Sequence, residues 1–162
     1  MTDYVVVGAG AIGGTIGARL VRDGHSVLFC DAAADHVNGI NAGGLAIEGP
    51  VETFTAHAPA VMPDDLPDGL STVLLAVKSQ HTEDALAAIA PRLAPDGFIV
   101  SLQNGINEPL IAGRVGPERT VGAFVNFGAD VVAPGRILLG GRGAFRVGEP
   151  DGRASDRAET SG

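Results

Sequence analysis

Apolar positions along the 162-residue chain fall into short continuous runs, separated by turn residues and by segments of helical period. Tyr4-Val-Val-Val-Gly8 is a continuous β-branched run, as a strand buried on both faces of a parallel sheet requires. From Gly10 to Arg22 the period changes. Ile12, Ile16 and Leu20 lie four apart and form one stripe, which predicts a helix packed on that sheet. Asp23-Gly24-His25 supplies a stop, and Ser26-Val-Leu-Phe-Cys30 predicts a second strand that ends at Asp31. Strand, helix and strand in about 30 residues make a βαβ unit.

Further along, Ala32–Asn41 reads as an Ala-rich helix. Gly44–Glu48 and Glu52–His57 read as strands about a Gly49-Pro50 turn. Pro59–Gly69, rich in Pro and Asp, reads as a surface connection. Thr72–Val77 and Phe98–Leu102 are apolar enough for buried strands. Between them, Glu83–Leu93 places Leu86, Ile89, Ala90 and Leu93 on one helical face. Asn107–Gly113 predicts a short helix, and Thr120–Phe127, Arg136–Leu139 and Ala144–Val147 predict strands. Residues 149–162 offer almost nothing to bury and are expected to form a flexible tail. Alternation of apolar strands with helices predicts one α/β domain over residues 1–148, a doubly wound, mostly parallel sheet.

Composition narrows the class. Nineteen acidic residues against eleven basic ones leave a formal charge of -8, with no Lys/Arg cluster, which argues against a nucleic-acid partner. The lone cysteine, Cys30, excludes a disulfide framework and a Cys-based zinc site. No apolar run approaches the length of a bilayer span, and the N-terminus lacks a basic region followed by an apolar one. A cytoplasmic protein without membrane partners is expected. Glycine accounts for 24 residues, and the excess gathers at Gly8–Gly17 and in turns from Gly97 onward. Lys78 is the only lysine, so any chemistry that needs an amine has one candidate.

Gly8-Ala9-Gly10-Ala11-Ile12-Gly13 matches G-x-G-x-x-G between a predicted strand and a predicted helix, the context that a dinucleotide-binding loop needs. Gly8 would allow the tight turn, Gly10 the approach of a pyrophosphate, and Gly13 the close packing of helix on strand. The alternative is a glycine-rich turn used for packing alone. Asp31, 23 residues after Gly8, stands where a carboxylate accepts a bond from an adenosine ribose 2′-hydroxyl. A 2′-phosphate there would meet a like charge, at a cost of roughly 1 to 4 kcal/mol at ~4 Å. This favours NAD and leaves NADP open, since Arg19 or Arg22 could reach a phosphate from the helix. Asp31 could instead only cap the next helix.

Lys78 and Asn104-Gly105 each follow a predicted strand, at the edge where open α/β sheets bind ligands. Lys78 could hold a phosphate, a ribose hydroxyl or a substrate carboxylate, or could simply be solvated. Asn104-Gly105 is also an ordinary turn dipeptide. His81 could cap a helix or face the crevice. His25, His36 and His57 show no metal or triad spacing and read as structural or exposed. Ser71, Ser79 and Ser101 lack a nucleophile-elbow context.

These residues together resemble the N-terminal, Rossmann-type domain of ketopantoate reductases (2-dehydropantoate 2-reductases). The matching stretches are Gly8–Gly13, Ala76-Val-Lys78, Leu102-Gln-Asn104-Gly-Ile106, Gly128-Ala129 with Pro134-Gly135, and Val147-Gly148-Glu149. The glycine motif is shared by many dehydrogenases; the lysine and the Gln-Asn-Gly pair in this order are more specific. The resemblance implies reduction of ketopantoate to pantoate with NAD(P)H, on the route to pantothenate and coenzyme A. By position, Gly8 to Gly13 would bind the pyrophosphate and Lys78 the cofactor side of the cleft. Asn104 would lie between nicotinamide and substrate, which makes it and Lys78 the candidate substrate contacts, and Ala129 would line the cofactor site.

Two departures from the family matter. Members that use NADPH carry an arginine after the second strand, where this chain has Asp31. The family also has an all-helical second domain that supplies a lysine acid and a glutamate for the substrate. This chain stops before it and has no lysine after Lys78, so no catalytic residue is assigned within it. The isolated chain is expected to be inactive without a helical partner domain, and to self-associate, as a homodimer or less specifically, through uncovered apolar surface. Another 2-oxoacid or imine reductase sharing this half, or an NAD-binding module without turnover, are the competing functions.

Overall fold

The computed structural model describes residues 2–50, 52–103, 108–126, 128–140 and 144–148. β1 (Tyr4–Val7) leads through α1 (Ala11–Arg22) to β2 (Val27–Cys30), the βαβ unit expected. α2 (Ala34–Gly43) follows, then β3 (Leu45–Glu48), β4 (Phe54–Ala56) and β5 (Ala60–Val61). β6 (Leu70–Leu75), α3 (Thr82–Ile89), β7 (Leu93–Ser101), α4 (Glu108–Val115) and β8 (Thr120–Asn126) continue the alternation. The chain then forms β9 (Ala129–Ala133), β10 (Arg136–Leu139) and β11 (Ala144–Gly148).

The main sheet runs β11-β8-β7-β6-β1-β2-β5. All neighbours are parallel except β11, which pairs antiparallel with β8 at one edge. β1 is central, with its first crossover leading to β2 on one side and a later one returning to β6 on the other. That reversal is the topological switch point, and it opens a crevice at the carboxyl ends of β1 and β6. Tyr4 and Val6 belong to the core on one face of the sheet, Val5 and Val7 to the core on the other. This is why β1 reads as an unbroken apolar run.

A second sheet, β4-β3-β10-β9, was not anticipated. Its strands come from two distant parts of the chain, with β10 parallel to β3 and antiparallel to β9. α1 lies between the two sheets. A Cβ at Gly17 would overlap the Phe29 ring of the main sheet, and one at Gly14 would overlap Ile137 of the second. Glycine costs a helix about 1 kcal/mol each relative to alanine. Here it lets two layers close on one helix, with Gly13, Gly14, Thr15, Gly17 and Ala18 as the buried positions. The expected stripe of Ile12, Ile16 and Leu20 is only half-buried and packs beside this small-residue face.

Several elements differ from expectation, with β6 starting at Leu70 rather than Thr72 and β7 at Leu93 rather than Phe98. The Pro59–Gly69 connection contains β5, which pairs with β2, and Leu66 in it is buried. The helix expected to reach Leu93 ends at Ile89, because Pro91 lacks an N–H and its ring obstructs the preceding turn. Ala129–Ala133, to which no element was assigned, is β9. Residues 149–162 lie outside the described residues. Among the described residues no helix is long and apolar enough to cross a membrane. The exposed large apolar side chains among them are Val131, Val132 and Leu138 on the second sheet and Leu110 on α4.

Candidate cofactor site

The loop between β1 and α1 fills the end of the crevice. Gly8 has φ +97°, a value that side chains disfavour, and a Cβ on it would stand 2.7 Å from the Ala76 carbonyl carbon and the Val77 nitrogen. The loop after β1 therefore rests directly on the loop after β6, which carries Lys78. A Cβ at Gly13 would overlap the Gly8 carbonyl oxygen and crowd Ala76. Gly10 is different. Nothing lies within 4 Å of its Cβ position, and its φ of -80° suits any residue. Neither packing nor backbone asks for glycine there; its absent side chain keeps a space open at the helix start. No side chain caps α1 at Gly10, and its first turn holds no acidic residue. The open space thus faces uncapped amides and the positive end of the helix dipole, an arrangement that accepts an anionic phosphate. On this geometry a dinucleotide's pyrophosphate fits.

Asp31 follows β2, next to β1. Its Oδ2 accepts the Ala9 N–H and its Oδ1 the Ala33 N–H, both at 2.9 Å. The bond to Ala33 closes the turn that leads into α2, whose N-cap Ala33 has no side-chain cap, and the bond to Ala9 clamps the glycine loop. A carboxylate has about four acceptor sites, so two amide bonds leave this half-buried group able to accept more. Asp35 adds an acidic residue in the first turn of α2. Arg19 and Arg22 stand about 12 to 16 Å along α1 from its start at 1.5 Å per residue. Both are engaged with Glu52: Arg19 bonds Oε1 at 2.9 and 2.7 Å through Nε and Nη2, and Arg22 bonds Oε2.

Lys78 is exposed, and its backbone is held from beneath. Gln103, buried just past β7, donates from Nε2 to the Val77 carbonyl and to the Thr82 hydroxyl, each at 2.7 Å. The loop after β7 thereby braces the loop after β6. Asn104 lies outside the described residues. Ala129 begins β9, half-buried against the core on the α1 side of the main sheet. The structure thus gathers Gly8 to Gly13, Asp31 and Lys78 at one end of the main sheet, and puts Ala129 on the second sheet.

Two residues support the site from beneath. Gln103 was noticed only as a motif letter, and its bracing bonds have no sequence signal. His36 is buried on α2, its Nε2 bonded to the Ala9 carbonyl and its Nδ1 accepting the Gly135 N–H at 2.9 Å. It had been read as structural or exposed, and it is structural, sharing the buried face of α2 with Val37 and Ile40. His25, His57 and His81 are exposed. Burial, helped by the Asp31 carboxylate, pushes the Cys30 thiol up to about 12, so it is no nucleophile. Among the described residues no group of three His, Cys, Asp or Glu side chains could hold a metal.

Comparison with known proteins agrees with this geometry. The model of the ketopantoate reductase PanE/ApbA family matches residues 4–152. The 2-dehydropantoate 2-reductase of Mesorhizobium japonicum is 33% identical over 174 residues, covering 94% of this chain and 53% of the relative. The crystal structure of 2-dehydropantoate 2-reductase from Geobacter metallireducens superposes with a TM-score of 0.87 at 29% identity, over 97% of this chain and 52% of that one. D-mandelate dehydrogenase, in a ternary structure with NADH and anilino(oxo)acetate, gives a TM-score of 0.82 at 26% identity, over 97% and 52%. The chain spans about half the length of the curated relatives it matches. With the family model matched over nearly the whole chain, this protein belongs to the ketopantoate reductase PanE/ApbA family.

Proposed function

We propose that residues 1–148 form the dinucleotide-binding half of an NAD(P)H-dependent 2-oxoacid reductase, with ketopantoate as substrate and NAD as the preferred cofactor. The observation that carries this reading is the open space at Gly10 facing the uncapped start of α1, with Asp31 clamped beside it. In the proposed arrangement the amides of Ala11, Ile12 and Gly13 bind the pyrophosphate, and Asp31 accepts a ribose hydroxyl. Lys78 and Asn104 are assigned to the substrate and Ala129 to the cofactor, by their positions in the sequence motifs. A bound nicotinamide would supply the hydride that reduces the keto carbon. The acid for the developing alkoxide is assigned to the half of the relatives' length that this chain does not span.

NAD is favoured because Asp31, assigned to the ribose, and Asp35 in the first turn of α2 are both acidic, while Arg19 and Arg22 are engaged with Glu52. The NADH in the D-mandelate dehydrogenase structure supports the same preference. That likeness also favours a second reading, a reductase of another 2-oxoacid with the same cofactor half. Fluorescence titration with NADH and NADPH tests the cofactor. NADH binding at least about tenfold tighter than NADPH is expected; equal or reversed affinities reject the role of Asp31. Turnover of a panel of 2-oxoacids, with the helical half present, separates ketopantoate from its competitors.

A further inference from the structure

The glycine loop makes no side-chain bonds of its own, yet Ala9 at its centre is fully buried, so its N–H and C=O must both find partners. The N–H goes to Asp31. The carbonyl goes to Nε2 of His36. The tautomer follows from the other ring nitrogen: Nδ1 receives the Gly135 N–H at 2.9 Å, and a backbone amide only donates. Nδ1 is therefore unprotonated and Nε2 carries the hydrogen that Ala9 accepts. Gly135 is itself fixed on both sides. Its carbonyl accepts the Ala46 N–H of β3 at 2.8 Å, and a Cβ at Gly39 of α2 would meet Pro134 at 3.0 Å.

We infer that His36 is a positioning residue for the dinucleotide loop. It holds the Ala9 carbonyl opposite the Asp31 clamp, and it ties that loop to the Pro134-Gly135 turn between β9 and β10. The peptide that precedes Gly10 is thereby set before any ligand arrives, and with it the direction of the first amides of α1. Affinity gained in this way comes from order already present in the free protein. The inference rests on the cofactor reading above.

The two ring nitrogens can be deleted separately. In His36→Gln the side-chain amide can replace the Nε2 donor, while in His36→Asn the side-chain oxygen can replace the Nδ1 acceptor. Amide hydrogen exchange without nucleotide and NADH titration are measured on both variants in the full chain. In His36→Asn, exchange at Gly8, Ala9 and Gly14, the hydrogen-bonded amides at and beside the loop, is expected to rise about tenfold and NADH affinity to fall about tenfold, with Gly135 still protected. In His36→Gln the loop and the affinity stay within about twofold of wild type, while Gly135 exchanges faster. The amides of Tyr4–Val7 report global opening. If those rise together with the loop in both variants, His36 is only a core residue and the inference is overturned. Unchanged loop exchange in His36→Asn overturns it as well. If wild type binds neither NADH nor NADPH, the cofactor reading fails by itself, and the nucleotide-free exchange pattern still decides whether His36 orders the loop.

Discussion

Replacing Asp31 by Asn removes one charge and keeps one acceptor oxygen, which makes it a sharp probe of the ribose position. Two amides depend on the carboxylate, and they are not equivalent. Ala9 is fully buried, so its N–H has no water to turn to; Ala33 is exposed and does. The remaining oxygen is expected to serve Ala9. Exchanging a charged acceptor for a neutral one costs about 1 kcal/mol, or roughly 2 to 4 °C in Tm for a chain of this size. Asp31→Ala would leave the Ala9 amide without a partner and cost about 1 to 3 kcal/mol. For the cofactor the two effects oppose each other. NADH loses the charge-assisted bond to its ribose, about fivefold in affinity. NADPH is relieved of about 1 to 4 kcal/mol of repulsion at ~4 Å, between fivefold and several hundredfold. The preference for NADH over NADPH should therefore fall by at least about tenfold in Asp31→Asn. Paired titrations at low salt and at ~0.15 M, where the Debye length is about 8 Å, separate the charge effect from the bond, since only the former shrinks with salt. A ratio within about twofold of wild type at both salt concentrations would refute the placement of Asp31 at the ribose.

Other outcomes follow from the same geometry. Gly10→Ala should fold with stability within about 0.5 kcal/mol of wild type, because nothing meets the added methyl, yet it should lose most nucleotide affinity. Thermal melts and NADH titration on one sample check both halves. Gly17→Ala adds a methyl against the Phe29 ring, and its overpacking should outweigh the helix propensity gained, for a net loss of about 1 to 2 kcal/mol in urea denaturation. With Cys30 held near 12, about one thiol in ten thousand is ionised at pH 8, so iodoacetamide should label the chain only after unfolding. Bonds from Arg22 and Arg19 hold the Glu52 carboxyl below its ordinary value of 4.5. A depressed folded pKa adds stability that is complete above the ordinary value and is lost as pH falls through the folded one. The stability gap between wild type and Glu52→Gln, about 0.5 to 1 kcal/mol at neutral pH, should close as pH falls below about 5 and through the depressed folded value.

The main sheet was legible because each of its central strands is apolar on both faces, a local property that one segment displays alone. Gly8 to Gly13 was legible for the same reason, since strand, glycines and helix are contiguous. The second sheet was not. β3 and β10 are joined by pairing Ala46 with Arg136, and no local pattern announces a partner so far along the chain. Gly14 and Gly17 lie beyond the motif and had no reason in the sequence; that reason is Ile137 and Phe29, which press on α1 from opposite sides. Asp31 was read as either a ribose acceptor or a cap, and its bond to Ala9 shows that one carboxylate can secure helix and loop at once. The roles of Gln103 and His36 depend mostly on backbone groups, which carry no sequence identity.

The position of α1 between two sheets also bears on when the chain becomes whole. Its 12 residues, three of them buried glycines, are too few and too glycine-rich to hold a helix unaided. Its outer wall is finished only when β10 joins β3, across 90 residues counted from Ala46 to Arg136. Closing a loop of that length costs about 4 kcal/mol in chain entropy. At about 5 to 20 residues per second the ribosome delivers Arg136 some 6 to 23 seconds after Arg22. The nucleotide loop, among the first parts of the chain to be made, is thus expected to be among the last to settle.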